Sequence, residues 1–367
     1  MIWMTHSNFD ALIDAIKERQ LMMHEYLFKD ETRLEFSYPH LEDAVMSYVK
    51  AGGKSLRPAV LMFACGAVGG DEKTAIPAAA AVELYHTFTL VHDDIIDRDT
   101  MRRGVPTVHY DFMQRAIKEM GFDEPTAQHY GLAIAIIAGD LQQGWAASLL
   151  PDLHYKHGLP PELALHLTRK LFRHTQMNLM NGETVDVMQS RIPIEQLTEA
   201  EVLDMLWQKT AVLYEYTGAA GAAIGLKQRD FEHPLVKAVS SFTGKCGIAF
   251  QLQDDILGVV GDAKRMGKNV GADIREGKRT IIVLHSLPKM SKTDRALTLD
   301  VLGNENATDE QVNEVIGLLD QYGGIDHARS LAAQYIEEGL TSLGQLEDSQ
   351  QKSYLISWAD FVMQRQR

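Results

Sequence analysis

The sequence predicts an all-α fold, and three observations carry that expectation. Apolar residues recur at helical spacing through nearly every long segment. Those segments are rich in Ala, Leu, Met, Glu and Gln, which lose little on entering a helix. Alternating β-branched runs bounded by turn signals are scarce.

In chain order, the pattern places helices at 10–29, 39–51, 57–68, 75–97, 108–120, 126–150, 161–181, 199–224 and 234–260, then at 311–322, 324–343 and 350–365. Glycine and proline punctuate them: Gly52-Gly53, Gly69-Gly70, Gly158 with Pro160-Pro161, and the stretch 261–277 read as loops. No long Ser/Pro/Gly linker and no shift in composition divides the chain, so a single domain over residues 1–367 is expected.

With 367 residues, 45% of them hydrophobic, the chain can bury a full core without covalent staples. A net charge of −14 argues against a general nucleic-acid binder, which needs a concentrated basic face. Cys65 and Cys246 lie far apart in no metal-ligand spacing and read as two buried free thiols of a reducing compartment. The first ten residues show no basic start followed by an apolar run, so a cytoplasmic location is expected. The most apolar window, 131–150, is interrupted by Asp140, Gln142 and Gln143, which makes it a buried helix and not a transmembrane segment.

The chemistry is concentrated in two aspartate clusters set in apolar helices. Asp93 and Asp97, four apart, share a helical face, while Asp94 is turned about 100° from Asp93. Like charges on one turn destabilise a helix unless a cation bridges them, and the flanks Phe88 to Val91 and Ile95-Ile96 are too apolar for a solvated acidic patch. Asp254 and Asp255 repeat the device after Phe250-Gln251-Leu252-Gln253. Oxygen-only donors without clustered His or Cys suit Mg²⁺, which retains waters and favours carboxylates together with substrate phosphates.

A phosphorylated ligand is therefore expected, and cations stand near the clusters. Arg102-Arg103-Gly104 follows the first, and a paired guanidinium can grip phosphate oxygens bidentately. A glycine-bracketed loop with Lys268 and Lys278 follows the second and suits a lid over a polyanion. Gly52-Gly53-Lys54-Ser55-Leu56-Arg57-Pro58 is a glycine turn leading into a helix, with Lys54 and Arg57 at its mouth. His86 sits two turns before Asp93 on the same face.

Taken in order, Gly-Gly-Lys-x-x-Arg-Pro at 52–58, Asp-Asp-x-x-Asp at 93–97 followed by Arg-Arg-Gly, Lys-Thr at 209–210 and Phe-Gln-x-x-Asp-Asp at 250–255 resemble the trans-isoprenyl diphosphate synthases, the polyprenyl synthetase family. The resemblance covers about residues 45–284 and is strongest to short-chain geranylgeranyl diphosphate synthases of archaeal type. It implies one helical bundle around a central deep cavity, normally a homodimer.

It further implies Mg²⁺-dependent condensation of isopentenyl diphosphate with an allylic diphosphate. By the resemblance, Asp93 and Asp97 hold two ions and Asp254 a third. Arg102, Lys209, Thr210, Gln251, Lys268 and Lys278 match positions that bind the allylic diphosphate, and Lys54, Arg57, His86 and Arg103 match those that bind isopentenyl diphosphate.

By the resemblance, Phe88 matches an aromatic position that limits chain length and the implied product is C20, with farnesyl (C15) and C25 diphosphates as the alternatives. On a helical wheel Phe88 lies about 140° from Asp93, with Thr89 and Tyr85 nearer that face. Two other readings share part of the pattern. A class I terpene cyclase uses a similar first motif but a different second one, and an inactive partner subunit would not need the whole cationic set.

Four features depart from the family pattern. Gly258 stands where many relatives carry the last aspartate of the second motif, whose contact to the third ion is either lost or supplied by Asp262; Glu183 replaces a common Gln; Ser55 replaces a frequent Arg; and the stretch 110–130 is longer than in the shortest relatives.

Overall fold

In the computed structural model, residues 9–102, 104–260 and 271–364 are described. The all-α expectation holds: helices dominate, and the sheet among these residues is a two-stranded hairpin, Met101–Arg102 (β1) against Val105–Pro106 (β2). The helices pack as two compact units.

The N-terminal unit is built from Ile13–Thr168 and Ala223–Arg229. It holds most of α1 (Asp10–Leu27), then α2 (Pro39–Ala51), α3 (Leu56–Ala67), α4 (Ile76–Ile96), α5 (Val108–Met120), α6 (Glu124–Leu149), α7 (Asp152–Tyr155) and nearly all of α8 (Pro161–Arg169). Ala78 to Ala81 of α4 are completely buried, and these small side chains allow α3 and α6 to approach α4 closely. Arg19 of α1 grips Glu72 bidentately at 2.8 and 2.9 Å.

The apolar window 131–150 is indeed a buried helix, and its polar interruptions have partners. Gln142 donates to the Val45 carbonyl at 2.7 Å, and Trp145 to the Thr32 carbonyl at 2.9 Å. Among the described residues, no helix is long and apolar enough to cross a membrane. Cys65 and Cys246 are free and buried.

The extended stretch 110–130 forms the turn and flanks of a tight α5–α6 pair. Gly121, with φ +70°, closes α5, and Asp123 caps α6 by accepting from the Thr126 amide. At Gly131 the two backbones nearly touch: a Cβ there would lie 2.2 Å from the His109 carbonyl oxygen.

The C-terminal unit comprises Arg169–Ala222, the described residues from Asp230 onward and those from Phe9 to Leu12. Its helices are α9 (Gln176–Gln189), α10 (Glu199–Leu206), most of α11 (Val212–Gly225), α12 (Pro234–Val260), α13 (Ala272–Glu276), α14 (Ile281–Ser286), α15 (Lys292–Val301), α16 (Asp309–Gln321), α17 (Gly324–Ser342) and α18 (Gln350–Gln364). The long α12 lies against α17 and α18, where Trp358 packs on Tyr214 and Phe242 at centroid distances of 5.3 and 5.9 Å.

Two expected helices differ from the simple reading. The segment 161–181 is α8, a π-helical turn at Lys170–Thr175, and α9, which continues to Gln189. The segment 199–224 is α10, a π turn at Trp207–Ala211, and α11. A π turn keeps the helix direction while inserting a residue, so no breaker residue marks it in the sequence. Within the glycine-rich stretch expected to be loop, Ala272–Glu276 forms a short helix bracketed by Gly271 and Gly277, both at positive φ.

Replacing Gly131 with Ala drives a methyl group into the α5 backbone and should cost about 1–3 kcal/mol. Thermal unfolding reads this directly; an unchanged melting temperature would contradict the close approach.

Candidate active site

The alanine-rich α4 delivers the first cluster at its C-terminus. Its last turn is intact, with the Asp97 amide donating to the Asp93 carbonyl at 2.8 Å, so Asp93 and Asp97 share one half-buried face as expected. Asp94 points inward and is fully buried. It accepts a short hydrogen bond from the Tyr48 hydroxyl and another from Arg102 Nε at 2.5 Å.

Arg98, at φ +57°, and Gly104, at φ +80°, turn the chain into the β1–β2 hairpin that folds Arg102 back over the helix end. Its Nη2 also reaches Asp93 Oδ2 at 3.2 Å. Burial raises the Asp94 pKa against the opposing pull of Arg102 and Tyr48. Burial likewise works against the Arg102 charge, but the Asp94 and Asp93 carboxylates outweigh it and leave its pKa raised.

Behind this cluster, two of the residues matched to the second substrate meet. Arg57 lies at the start of α3 and His86 on α4, and Arg57 Nη1 is 3.0 Å from His86 Nε2. The glycine turn carrying Lys54 is fixed by Gln20, which donates to the Gly53 carbonyl at 2.9 Å and to Ser55 Oγ at 3.0 Å. Ser55 is buried at φ +43° and donates to Glu83 at 3.1 Å, so it serves as a brace rather than a cation.

Phe88 is buried on α4, its ring 4.8 Å from Tyr85 and 5.8 Å from His92. Thr89 is half-buried, with its hydroxyl donating to the His86 carbonyl at 2.8 Å.

In the C-terminal unit, Lys209 and Thr210 lie on the second π turn. That turn is clasped by glycines: a Cβ on Gly182 of α9 would sit 2.3 Å from the Lys209 amide nitrogen, and one on Gly247 of α12 2.8 Å from Ala211 Cα. Lys209 Nζ reaches Asp186 at 2.6 Å and Glu183 at 3.0 Å. The acid that departs from the family pattern at 183 thus supplies a second carboxylate to this lysine.

Thr210 donates to Gln251 Oε1 at 2.9 Å, and Gln251 Nε2 donates to Asp255 at 3.0 Å. Asp255 is buried and Asp254 half-buried. Burial first, then the neighbouring Asp273 charge, pushes the Asp255 carboxyl up to about 8.

The missing aspartate at 258 also has a structural counterpart. A Cβ on Gly258 would lie 2.4 Å from Asp273 Oδ2, so the Asp273 carboxylate occupies the space a larger residue would take. The Gly271 amide donates to the Gly258 carbonyl at 3.2 Å and holds the two segments together. Lys278 pairs with Asp273 at 3.1 Å and Glu276 at 3.0 Å. Arg103, Lys268 and Asp262 lie outside the described residues.

Sequence reasoning gave no role to Tyr48, Asp273 or the π turns, and named Asp186 only as the end of the segment that carries Glu183. Asp273, set between two glycines in a loop already singled out, carried the one signal that points to it.

The raised Asp255 pKa has a signed consequence. An unfolded aspartate ionises near pH ~3.9, so between about pH 4 and 8 the folded chain holds a proton that the unfolded chain lacks. Stability from this group is present at low pH and lost as pH rises through that window. In chelator, Asp255→Asn should therefore melt progressively higher than the parent as pH is raised from ~6 to ~9. Parallel melting curves across that range would refute the buried, protonated carboxyl.

Residues 38–319 match the family described as polyprenyl synthetase. A geranylgeranyl diphosphate synthase from Sulfolobus acidocaldarius is 37% identical over 310 residues, 84% of this chain and 85% of that one. The crystal structure of a geranylgeranyl pyrophosphate synthetase from Pyrococcus horikoshii superposes with a TM-score of 0.83 at 33% identity, covering 97% of this chain and 99% of that one. A geranylgeranyl pyrophosphate synthase from Corynebacterium glutamicum, complexed with isoprenyl diphosphate and magnesium, gives 0.82 at 26% identity, covering 97% and 99%. The Asp-rich helix ends, the lysine-bearing π turn and these matches lead to one conclusion: the chain is a prenyltransferase belonging to the polyprenyl synthetase family.

Proposed function

We propose that this enzyme condenses isopentenyl diphosphate with an allylic diphosphate, head to tail, and that its product is all-trans geranylgeranyl diphosphate, C20. One observation carries the reading. Each Asp-Asp pair is split into a buried, internally bonded carboxyl, Asp94 or Asp255, and a half-buried one, Asp93 or Asp254. The inner acids fix the helix ends, and the outer ones, with Asp97, stand half-buried with oxygens suited to a hard cation.

That carboxylate donor set fits Mg²⁺, a hard ion that prefers oxygen to thiolate or imidazole. Asp93 and Asp97 would hold two ions and Asp254 a third. Bound there, Mg²⁺ neutralises the allylic diphosphate and makes it a better leaving group.

The chain's own residues do the rest. Arg102, Lys209, Lys268 and Lys278 supply positive charge for the departing diphosphate, and Thr210 and Gln251 orient it through hydrogen bonds. Lys54, Arg57, His86 and Arg103 hold the second diphosphate so that its double bond attacks the allylic cation. The released diphosphate takes the proton, so no general base is required of the protein. Phe88, with Tyr85 and Thr89 beside it, limits the length of the hydrocarbon tail. The chain works as one prenyltransferase domain in a homodimer, and its two free thiols support a reducing compartment, the cytoplasm.

Incubation of the purified chain with both diphosphates and Mg²⁺ should yield a C20 alcohol after dephosphorylation, and Asp93→Ala should lower kcat by about 10²–10³-fold. No elongation by the parent enzyme would overturn the reading. Phe88→Ser should shift the product to longer chains, and an unchanged chain length on chromatography would remove Phe88 from that role.

A further inference from the structure

We propose that Glu199, His285 and His327 form a second divalent-metal site, of the zinc class and chemically distinct from the aspartate clusters. The three side chains come from three helices of the C-terminal unit: Glu199 opens α10, His285 lies near the end of α14, and His327 lies in the first turn of α17. One ligand atom from each falls within 4.8 Å of the others, and all three residues are half-buried.

The arrangement of the two histidines is specific. Their rings stack with centroids 3.8 Å apart and planes inclined by 14°. His327 Nε2 is 2.7 Å from Glu199 Oε2, so one end of the triad already has a nitrogen and a carboxylate oxygen in contact. Gly323, at φ +78°, caps α17 and receives the His327 amide on its carbonyl at 3.0 Å, which fixes the backbone that presents this ring.

Donor chemistry selects the ion. Two imidazoles and a carboxylate suit Zn²⁺, Co²⁺ or Ni²⁺, and Mg²⁺ is a poor competitor for nitrogen. Tetrahedral bonds of ~2.1 Å require donors roughly 3.4 Å apart, so closure needs only side-chain rotation. On binding, the ion takes the place of the proton shared by His327 Nε2 and Glu199. Lys289, one turn beyond His285 on an exposed tether, touches His285 Nε2. It either swings into solvent or leaves the ion to His285 Nδ1. The half-buried position leaves the fourth coordination place to water, the pattern of three protein ligands and one open position.

The site ties together segments that lead to the proposed diphosphate-binding residues. Lys209 stands ten residues beyond Glu199 on the same continuous helix, and Lys278 stands seven before His285. Metal at the triad would therefore brace α10, α14 and α17 from outside the reacting groups.

Co²⁺ titration of the full-length protein in a large excess of Mg²⁺, which saturates the aspartates, tests the proposal. One equivalent should develop the visible absorption of a nitrogen-ligated, low-coordinate ion, and Zn²⁺ should displace it and raise the melting temperature. His327→Gln and Glu199→Gln should each weaken Zn²⁺ binding by about tenfold or more while melting like the parent in chelator. Absence of the Co²⁺ spectrum, or Zn²⁺ affinity unchanged in both variants, would overturn the site.

Discussion

Two adjacent ionised carboxylates cannot both be buried in an apolar helix, and much of this structure follows from how that constraint is met twice. At α4, burial of Asp94 is offset by a cation and a phenol: Arg102 and Tyr48 together bind its two oxygens. At α12, a neutral amide faces Asp255, and its carboxyl keeps its proton up to about pH 8. The solutions differ, but the result is the same. One acid of each pair is buried in the fold, and its neighbour stays half-buried.

Close approach of backbones is the second organising device, and glycine makes it possible. The π turn that carries Lys209 and Thr210 fits between α9 and α12 because Gly182 and Gly247 present no side chain to it. The inserted residue of a π turn rotates the following side chains relative to a regular helix, which sets Lys209 toward Asp186 and Glu183, and Thr210 toward Gln251. Gly258 applies the same logic to charge. By giving up its own carboxylate it admits that of Asp273, so the acidic character next to Asp254 and Asp255 is kept by a residue from a different segment.

These arrangements link folding to function through sacrifice of ionic contacts. Lys209, Lys278 and Arg102 are each engaged with carboxylates of the protein itself. If these cations bind diphosphate as proposed, the substrate must compete with Asp186, Asp273 and Asp93, and a partly buried ion pair resists breakage unless the incoming charge is better placed. A multiply charged diphosphate meets that condition where a monoanion does not.

By itself the sequence determined the helical class, the positions of most helices and which helix ends carry the aspartates. Each of these depends on local spacing: a period near 3.6, glycine and proline punctuation, and four-residue repeats that place Asp93 and Asp97 on one face. Only the tertiary structure decided which acid of each pair faces inward, because Tyr48 and Arg102 had to reach Asp94 from outside α4, and Thr210 had to reach Gln251, one turn before Asp255, from another helix. It also decided the π turns, the replacement of a carboxylate at 258 by Asp273, and the meeting of Glu199, His285 and His327 from helices far apart in the chain. Local periodicity has no term for such contacts, since their energy comes from neighbours that folding alone brings together.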